Sequence, residues 1–252
     1  MKCLSVVIPC YNEERNIPLL LERFESCARP DGFELVLVNN GSRDGTYALL
    51  QDIVASKRYP YLKPVYITEN QGYGHGILTG LSSAQGDVLA WTHADLQTDP
   101  ADLLTAYDLY CTESKRCRCV VKGGREGRPL GDCLLTGGMS LLASVLLGTV
   151  LRDINAQPKL FGRDFYHLLS GAPADFSVDL FWLYMAKKHG YTITEFPVRF
   201  GGRKFGISKS APNWRGRLRT IHRTVQCMLD LRRQAHSPKS SVRDSKCCDV
   251  HR

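Results

Sequence analysis

Three short apolar runs in this chain each end abruptly in a polar turn. Leu4-Ser5-Val6-Val7-Ile8-Pro9 runs into Cys10-Tyr11-Asn12-Glu13-Glu14, and Glu34-Leu35-Val36-Leu37-Val38 into Asn39-Asn40-Gly41-Ser42-Arg43-Asp44-Gly45-Thr46. Val88-Leu89-Ala90-Trp91 runs into Thr92-His93-Ala94-Asp95-Leu96-Gln97-Thr98-Asp99-Pro100. Near-continuous apolar runs of this length read as strands buried on both faces, the habit of parallel sheets covered by helices. Open α/β sheets place their ligands at the carboxyl ends of such strands. His93, Asp95 and Gln97 alternate, so an extended backbone would turn all three the same way. An imidazole, a carboxylate and an amide oxygen could hold a hard or borderline divalent ion. Taken alone, the segment is equally a strand followed by a polar turn, with Asp99-Pro100 opening a helix.

Between these runs the apolar residues take a helical spacing. Ile17, Leu20, Leu21 and Phe24 form a stripe within residues 13–28, and Asp44-Gly45-Thr46 opens a helix reaching Ala55. Val65-Tyr66-Ile67 is a further strand, followed by Asn70-Gln71-Gly72-Tyr73-Gly74-His75-Gly76 and a helix from Ile77 to Ser83. Glycines in that turn would let the backbone approach a ligand, although such a string is more often just a flexible turn. Strands alternating with helices up to residue 100 predict a right-handed, mostly parallel sheet. Asp102 to Cys111 follows as a helix.

The composition then changes. Lys115, Arg116, Arg118, Lys122, Arg125 and Arg128 sit among glycines, as a solvated basic loop or an anion-holding arm. Cys133 to Leu151 carries no charge and approaches the roughly 20 apolar residues of a membrane span. Gly137, Gly138, Ser140, Ser144 and Thr149 dilute it, so a helix buried in the protein or lying at a membrane face is expected. Tyr191 to Phe200 reads as a late strand. Trp214, Leu218, Ile221, Val225 and Leu229 share one helical face, with Arg215, Arg219, Arg223 and Arg233 around it. Such a helix suits adsorption to an anionic membrane or docking on the domain's own sheet. The expected organisation is one domain over 1–212, this basic amphipathic helix over 213–234, and a polar, disordered tail over 235–252.

At 252 residues one substantial core and a single α/β domain are expected. The formal charge of +8 favours anionic partners: nucleotide diphosphates, lipid phosphates or a membrane surface. Nucleic acid is not expected, because no aromatic-rich basic motif or helix-turn-helix pattern accompanies the charge. The N-terminal apolar stretch contains Pro9 and meets Asn12-Glu13-Glu14-Arg15 without a small-residue cleavage site, unlike a signal peptide. Ten cysteines without paired metal spacing fit reduced thiols in a cytoplasmic protein. The Cys247-Cys248 pair in the tail is slight evidence for lipid modification.

The order V-I-P-x-Y-N-E, then a turn like D-D-G-S-x-D-G-T, then an equivalent of D-x-D resembles the nucleotide-sugar-binding half of family 2 glycosyltransferases. Glu195-Phe196-Pro197-Val198-Arg199-Phe200 and the following R-K-F-G-I-S-K (Arg203 to Lys209) are similar to the ending E-x-P-V … R-x-x-G-x-S-K. That ending marks the dolichyl-phosphate mannose synthase-like, polyprenyl-phosphate sugar transferases within the family. The resemblance spans about residues 4–210. It implies an α/β fold of the glycosyltransferase A-type (Rossmann-like), a mostly parallel mixed sheet flanked by helices. The nucleotide-sugar half would cover about 1–112 and the acceptor half about 113–212.

By the same resemblance, Pro9, Tyr11, Glu13, Asn40, Ser42, Asp44, Asn70 and Gly72 would cradle base and ribose, with His93, Ala94, Asp95 and Gln97 at the sugar diphosphate. Asp95, joined by Gln97 and His93, would hold Mn²⁺ or Mg²⁺ against the charge of the leaving group. Asp179 falls near the acidic general base of related enzymes, and Arg203 and Lys209 complete the catalytic set. Lys122, Arg125, Arg203, Ser208 and Lys209 would hold the acceptor, with Asp153 orienting the arginines. Cys10 is a small strand-end side chain rather than a nucleophile.

Two departures bear on chemistry. Asn39-Asn40 stand where the family turn has two aspartates, which changes the hydrogen-bonding edge offered to a base. His93 replaces the first acid of D-x-D, removing a negative charge and adding a nitrogen donor. The expected activity is inverting, metal-dependent transfer of a hexose from a nucleotide diphosphate sugar to a polyprenyl phosphate. A peripherally associated protein would do this at the cytoplasmic membrane face, with room for a membrane-spanning partner subunit. Transfer to a saccharide hydroxyl in cell-surface polysaccharide assembly, or a non-catalytic nucleotide-sugar-binding homologue, are the alternatives.

Overall fold

The computed structural model describes residues 3–27, 31–127, 130–203, 205 and 214–236. Its strands are β1 (Leu4–Cys10), β2 (Glu34–Asn40), β3 (Leu62–Ile67), β4 (Val88–Trp91), β5 (Cys119–Glu126), β6 (Lys159–Gly162) and β7 (Thr192–Arg199). They form one sheet in the order β3-β2-β1-β4-β6-β5-β7. All neighbours run parallel except β6, which is antiparallel to both β4 and β5. The expected mostly parallel mixed sheet is what forms. Helices α1 (Ile17–Glu25), α2 (Thr46–Ser56), α3 (Tyr73–Ser83) and α4 (Asp102–Glu113) alternate with the first strands. Then come α5 (Leu130–Leu147), the single turn α6 (Arg163–Tyr166), α7 (Val178–Lys188) and α8 (Trp214–His236).

The apolar runs are continuous because each strand feeds two cores. Leu4, Val6 and Ile8 of β1, Leu35 and Leu37 of β2, and Val88 and Ala90 of β4 pack with Leu20, Leu21 and Phe24 of α1 and Leu103 and Ala106 of α4. The alternate residues Val7, Val36, Val38, Leu89 and Trp91 face Ile77 and Leu81 of α3, Trp182 of α7, and Met228 and Leu231 of α8. Side chains on a strand alternate between faces, so a strand covered on both sides has no polar position to spare.

Three expectations change. The basic stretch is not a loop: Cys119-Val120-Val121 nucleates β5, and Lys122 within it is fully buried. A count of charges across the window hid the short β-branched run. Helix α3 begins at Tyr73, before the expected Ile77, and Gly72 ahead of it takes φ +116°. The glycines there also serve close approach of protein. A Cβ on Gly74 would lie 2.3 Å from the Pro173 carbonyl oxygen, and His75 N donates to Ala174 O at 2.9 Å. The first turn of α3 is thereby fixed on segment 173–175. Lastly, α1 starts at Ile17 because Glu13 to Asn16 form a turn, in which Asn16 N donates to Glu13 O.

Helix α5 lies at the surface, with Leu141 67% and Val145 70% exposed. No helix among the described residues is long and apolar enough to cross a membrane. Helix α8 packs on α5 and enters the core through Met228 and Leu231. The cysteines among the described residues are free thiols. The expected tail beyond His236, with Cys247 and Cys248, lies outside the described residues.

Gly80 of α3 tests the tightness of this packing, since an added Cβ would lie 2.3 Å from Val7 Cγ1 and 2.8 Å from Val38 Cγ2. Alanine gains about 1 kcal/mol in helix propensity, whereas overpacking a filled core costs about 1–3 kcal/mol. Gly80→Ala is expected to lower the urea midpoint. A raised midpoint would mean that helix and sheet can separate without cost.

Candidate functional site

The chain leaves β1 towards β2 and β3, then returns to β4 on the other side of β1. The carboxyl ends of β1 and β4 therefore border a crevice, the habitual ligand position in such sheets. A cavity of about 320 Å³ opens there. Pro9, Tyr11 and Glu13 enter it from the end of β1, Asn40 from β2, and Asn70, Gly72 and Tyr73 from the start of α3. His93, Ala94 and Asp95 follow β4; Asp175, Phe176 and Ser177 precede α7; and Arg203 follows β7. Arg219, Thr220, Arg223 and Thr224 of α8 complete the wall.

Ser42 and Asp44 are not among the lining residues; they fasten the loops that are. Asn12 N donates to Ser42 Oγ at 3.0 Å, and Glu14 N to Asp44 Oδ2 at 3.4 Å. Asp44 Oδ1 accepts from Thr46 N at 3.1 Å, closing the first turn of α2. Asn40 is differently placed. Its Nδ2 donates to Gly72 O at 2.9 Å, which fixes the amide's orientation, while its buried Oδ1 has no protein partner. An unsatisfied buried acceptor costs about 1–3 kcal/mol, which a ligand N–H would relieve.

The alternation of His93, Asp95 and Gln97 does not survive. Leu96 takes φ +55°, so the backbone turns and the three side chains part. Gln97 Nε2 donates to Gly201 O at 3.2 Å, and Gly201 N returns a bond to Gln97 O at 2.8 Å. Gln97 thus pins the loop after β7 rather than entering the cavity. Asp95 Oδ1 accepts from Gln97 N at 3.2 Å and its Oδ2 pairs with Arg203 at 3.0 Å. The same loop reaches the turn ahead of α1, where the Arg15 guanidinium lies 4.2 Å over the Phe205 ring.

His93 stacks on Tyr73 (centroids 5.0 Å apart, planes 14°), and Tyr73 on Phe176 (4.5 Å, 6°). Burial holds the His93 imidazole below its ordinary pKa, against the opposing pull of Asp95 and Asp179. A neutral ring keeps a nitrogen lone pair for an electrophile. Among the described residues no group of three or more His, Cys, Asp or Glu could hold a metal. His93 and Asp95 are the donors that remain of the expected set.

Asp179 is fully buried in the first turn of α7 and lies behind the cavity wall. Its Oδ1 accepts from Lys159 Nζ (2.6 Å), Gln157 Nε2 (3.1 Å) and Trp91 Nε1 (3.3 Å). Gln157 Nε2 also reaches the Tyr73 hydroxyl at 3.4 Å, so two side chains stand between Asp179 and the cavity. Burial pulls Lys159 down to about 8 although the Asp179 carboxylate raises it. The expected general base is therefore a counter-ion here, and Asp175, just ahead of the same helix, lines the cavity instead. Its Oδ1 accepts from Ser177 N at 2.9 Å, an Asx turn ahead of α7.

Lys122 and Arg125 do not reach the cavity either, because β5 carries them into the sheet. Lys122 Nζ lies 3.3 Å from Glu195 Oε1 and from the carbonyls of Gly123 and Asp153, and burial lowers its pKa. Arg125 grips Asp153 with its side chain and its backbone N–H, and lies 5.4 Å over the Phe200 ring. Asp153 does orient an arginine, as expected. Ser208 and Lys209 lie outside the described residues. Sequence reasoning missed Tyr73, Asp175, Phe176 and the α8 residues. The Asx-turn pattern A-D-F-S ahead of a helix was the available signal for Asp175.

Residues 5–129 match the model of the Glycosyl transferase family 2. The undecaprenyl-phosphate 4-deoxy-4-formamido-L-arabinose transferase of Pseudomonas fluorescens (strain Pf0-1) is 29% identical over 216 residues, 83% of this chain and 61% of that relative. The Pectobacterium atrosepticum protein of the same name is 28% identical over 211 residues, 83% of this chain and 63% of its own. The chain thus spans about three fifths of the length of these curated relatives. Among solved structures, glucosyl-3-phosphoglycerate synthase from Mycobacterium tuberculosis with Mn²⁺, UDP and phosphoglyceric acid superposes with TM-score 0.68 at 19% identity, over 95% of this chain and 80% of that one. A mannosyltransferase from Pyrobaculum calidifontis with GDP-Man and Mn²⁺ gives 0.60 at 20%, over 93% and 74%. At these identities the structures speak for the fold, which is the glycosyltransferase A-type expected.

The burial of Asp179 yields a stability test. Asp179→Ala would leave the Lys159 ammonium buried without its counter-ion and is expected to cost about 3–5 kcal/mol in urea denaturation. Removing both charges together, as Lys159→Met with Asp179→Leu, should recover most of that loss. Unchanged stability with abolished turnover would instead make Asp179 a reacting group.

Proposed function

We propose that this chain moves a sugar from a nucleotide diphosphate donor to a polyprenyl phosphate at a membrane surface, with inversion at the anomeric carbon. The observation that carries the reading is the cavity itself. One crevice holds an orphaned buried acceptor on Asn40 at the end of β2 and, after β4, an Asp95–Arg203 pair beside a neutral imidazole. The first suits the N–H edge of a base; the second suits a metal-bound diphosphate. The relatives named for transfer to undecaprenyl phosphate support the acceptor class.

In this reading Asn40 Oδ1 accepts from the base, while Tyr11, Glu13 and Asn70 border the nucleoside. Asp95 and His93, one carboxylate and one neutral imidazole, would hold a Mn²⁺ or Mg²⁺ ion beside the donor's diphosphate. Bound there, the ion would neutralise charge on the leaving diphosphate. Arg203 adds a second positive charge at the same oxygens. An acceptor phosphate oxygen attacks C1 from the opposite face; the C1–O bond breaks and its electron pair leaves with the diphosphate. A phosphate monoester has a second pKa near about 6, so it arrives as a dianion and needs no base. The withdrawal of Asp179 into the core accords with that.

Membrane contact would come from α5 and α8, which pack together. Leu141, Leu142 and Val145 of α5 and Leu218 and Leu229 of α8 are exposed, and apolar side chains on a basic amphipathic helix adsorb to anionic bilayers. One observation favours a second reading, transfer to a saccharide hydroxyl: Asp175 faces the cavity and could take a hydroxyl proton.

The test is a panel of radiolabelled nucleotide sugars with Mn²⁺ or Mg²⁺, with polyprenyl phosphate vesicles or a soluble oligosaccharide. Label entering the organic phase with one donor is expected, and Asp95→Ala should reduce it by about 10²–10³. With a phosphate acceptor Asp175→Asn should leave kcat nearly unchanged, whereas general-base removal costs about 10²–10⁴. A donor that binds without any transfer would make the chain a nucleotide-sugar-binding homologue.

A further inference from the structure

We infer that α8 supplies the phosphate-holding wall of the cavity, through the guanidinium groups of Arg219 and Arg223. The inference rests on the donor reading above and extends it to the anion that has no assigned site.

Four cations of the acceptor half are committed to carboxylates. Lys122 is bound to Glu195, Arg125 to Asp153, Lys159 to Asp179 and Arg203 to Asp95. None of the first three lines the cavity. Arg219 and Arg223 line it, and among the described residues neither makes an ion pair. They stand one turn apart on the same side of α8, about 6 Å along the axis. Two such forks can close on one tetrahedral oxyanion, the arrangement in which arginine excels. Thr220 and Thr224 beside them return hydroxyl protons to the carbonyls of Gly216 and Thr220, at 3.1 and 2.9 Å. The guanidiniums, not the hydroxyls, therefore meet the anion.

The shared chemistry is a phosphate oxyanion, available from a lipid monophosphate or from the donor's diphosphate. The surroundings favour the lipid. Helix α8 also carries the exposed Leu218 and Leu229 and packs on α5, whose Leu141, Leu142 and Val145 are exposed. An isoprenoid chain leaving a phosphate held by Arg219 and Arg223 would meet that apolar surface directly. One helix would then hold the headgroup and guide the tail.

The experiment is calorimetric titration of the full chain with farnesyl phosphate in detergent micelles, with farnesol as the uncharged control, and separately with UDP and GDP. Arg219→Gln with Arg223→Gln is compared with the charge-matched pair Arg116→Gln and Arg233→Gln, both at exposed positions remote from the cavity lining. Farnesyl phosphate affinity is expected to fall about tenfold or more in the first pair only, with nucleoside diphosphate affinity unchanged. A fall confined to UDP or GDP would keep the wall and assign it to the donor's diphosphate. Equal behaviour of the two pairs overturns the inference, as does a wild-type chain that binds neither anion. Because binding is read without turnover, a chain that binds but transfers no sugar defeats the transferase reading and leaves the wall standing.

Discussion

The ion pair between Lys159 and Asp179 is the contact on which the cavity's back wall depends. It joins β6, the single reversed strand, to the first turn of α7 inside the larger core. The same carboxylate oxygen gathers Trp91 from β4 and Gln157, and Gln157 touches Tyr73. Trp182 and Trp91 enclose the ammonium, each ring centroid 5.8 Å from Nζ. Buried pairs of this kind add little net stability over an apolar substitute, yet losing one partner is severe. Its value here is positional, because strand, helix and the stacked rings of Tyr73 and His93 are held to one another through polar atoms with fixed geometry.

Charge separates two populations of side chains in this protein. The cations of β5 and β6 sit within the sheet, matched by Glu195, Asp153 and Asp179, where they fix architecture. Arg219 and Arg223 of α8 and Arg203 of the loop after β7 border the cavity. Only the second population can answer to a ligand without dismantling the fold. The +8 balance of the whole chain does not distinguish them; burial and partners do.

The sheet was legible wherever both strand faces were apolar, since Leu4–Pro9, Glu34–Val38 and Val88–Trp91 admit few other structures. Their polar ends led to Pro9, Tyr11, Glu13, Asn40 and His93 to Asp95, all of which line the cavity. What could not be read was decided by single backbone angles or by tertiary partners. The left-handed turn at Leu96 removed Gln97 from the donor set. Asp175 and Asp179 lie four residues apart, and only the start of α7 decides which one faces outward. Lys122 read as an acceptor-holding cation because its counter-ion Glu195 comes from a strand more than seventy residues away in sequence. The α8 arginines were seen as belonging to a surface, and no local pattern ties that helix to the ends of β1 and β4.

Helix α8 meets three environments at once: Arg219 and Arg223 look into the crevice, Met228 and Leu231 into the core, and Leu218 and Leu229 outward. At about 100° per residue, these faces are set by the phase of one helix rather than by the segment that tethers it. A single residue inserted between Arg223 and Met228 would rotate one face against the others, presenting the wrong side to the crevice however well the core repacked. Within that stretch the sequence is protected against insertion by angle alone, even where no individual side chain is irreplaceable.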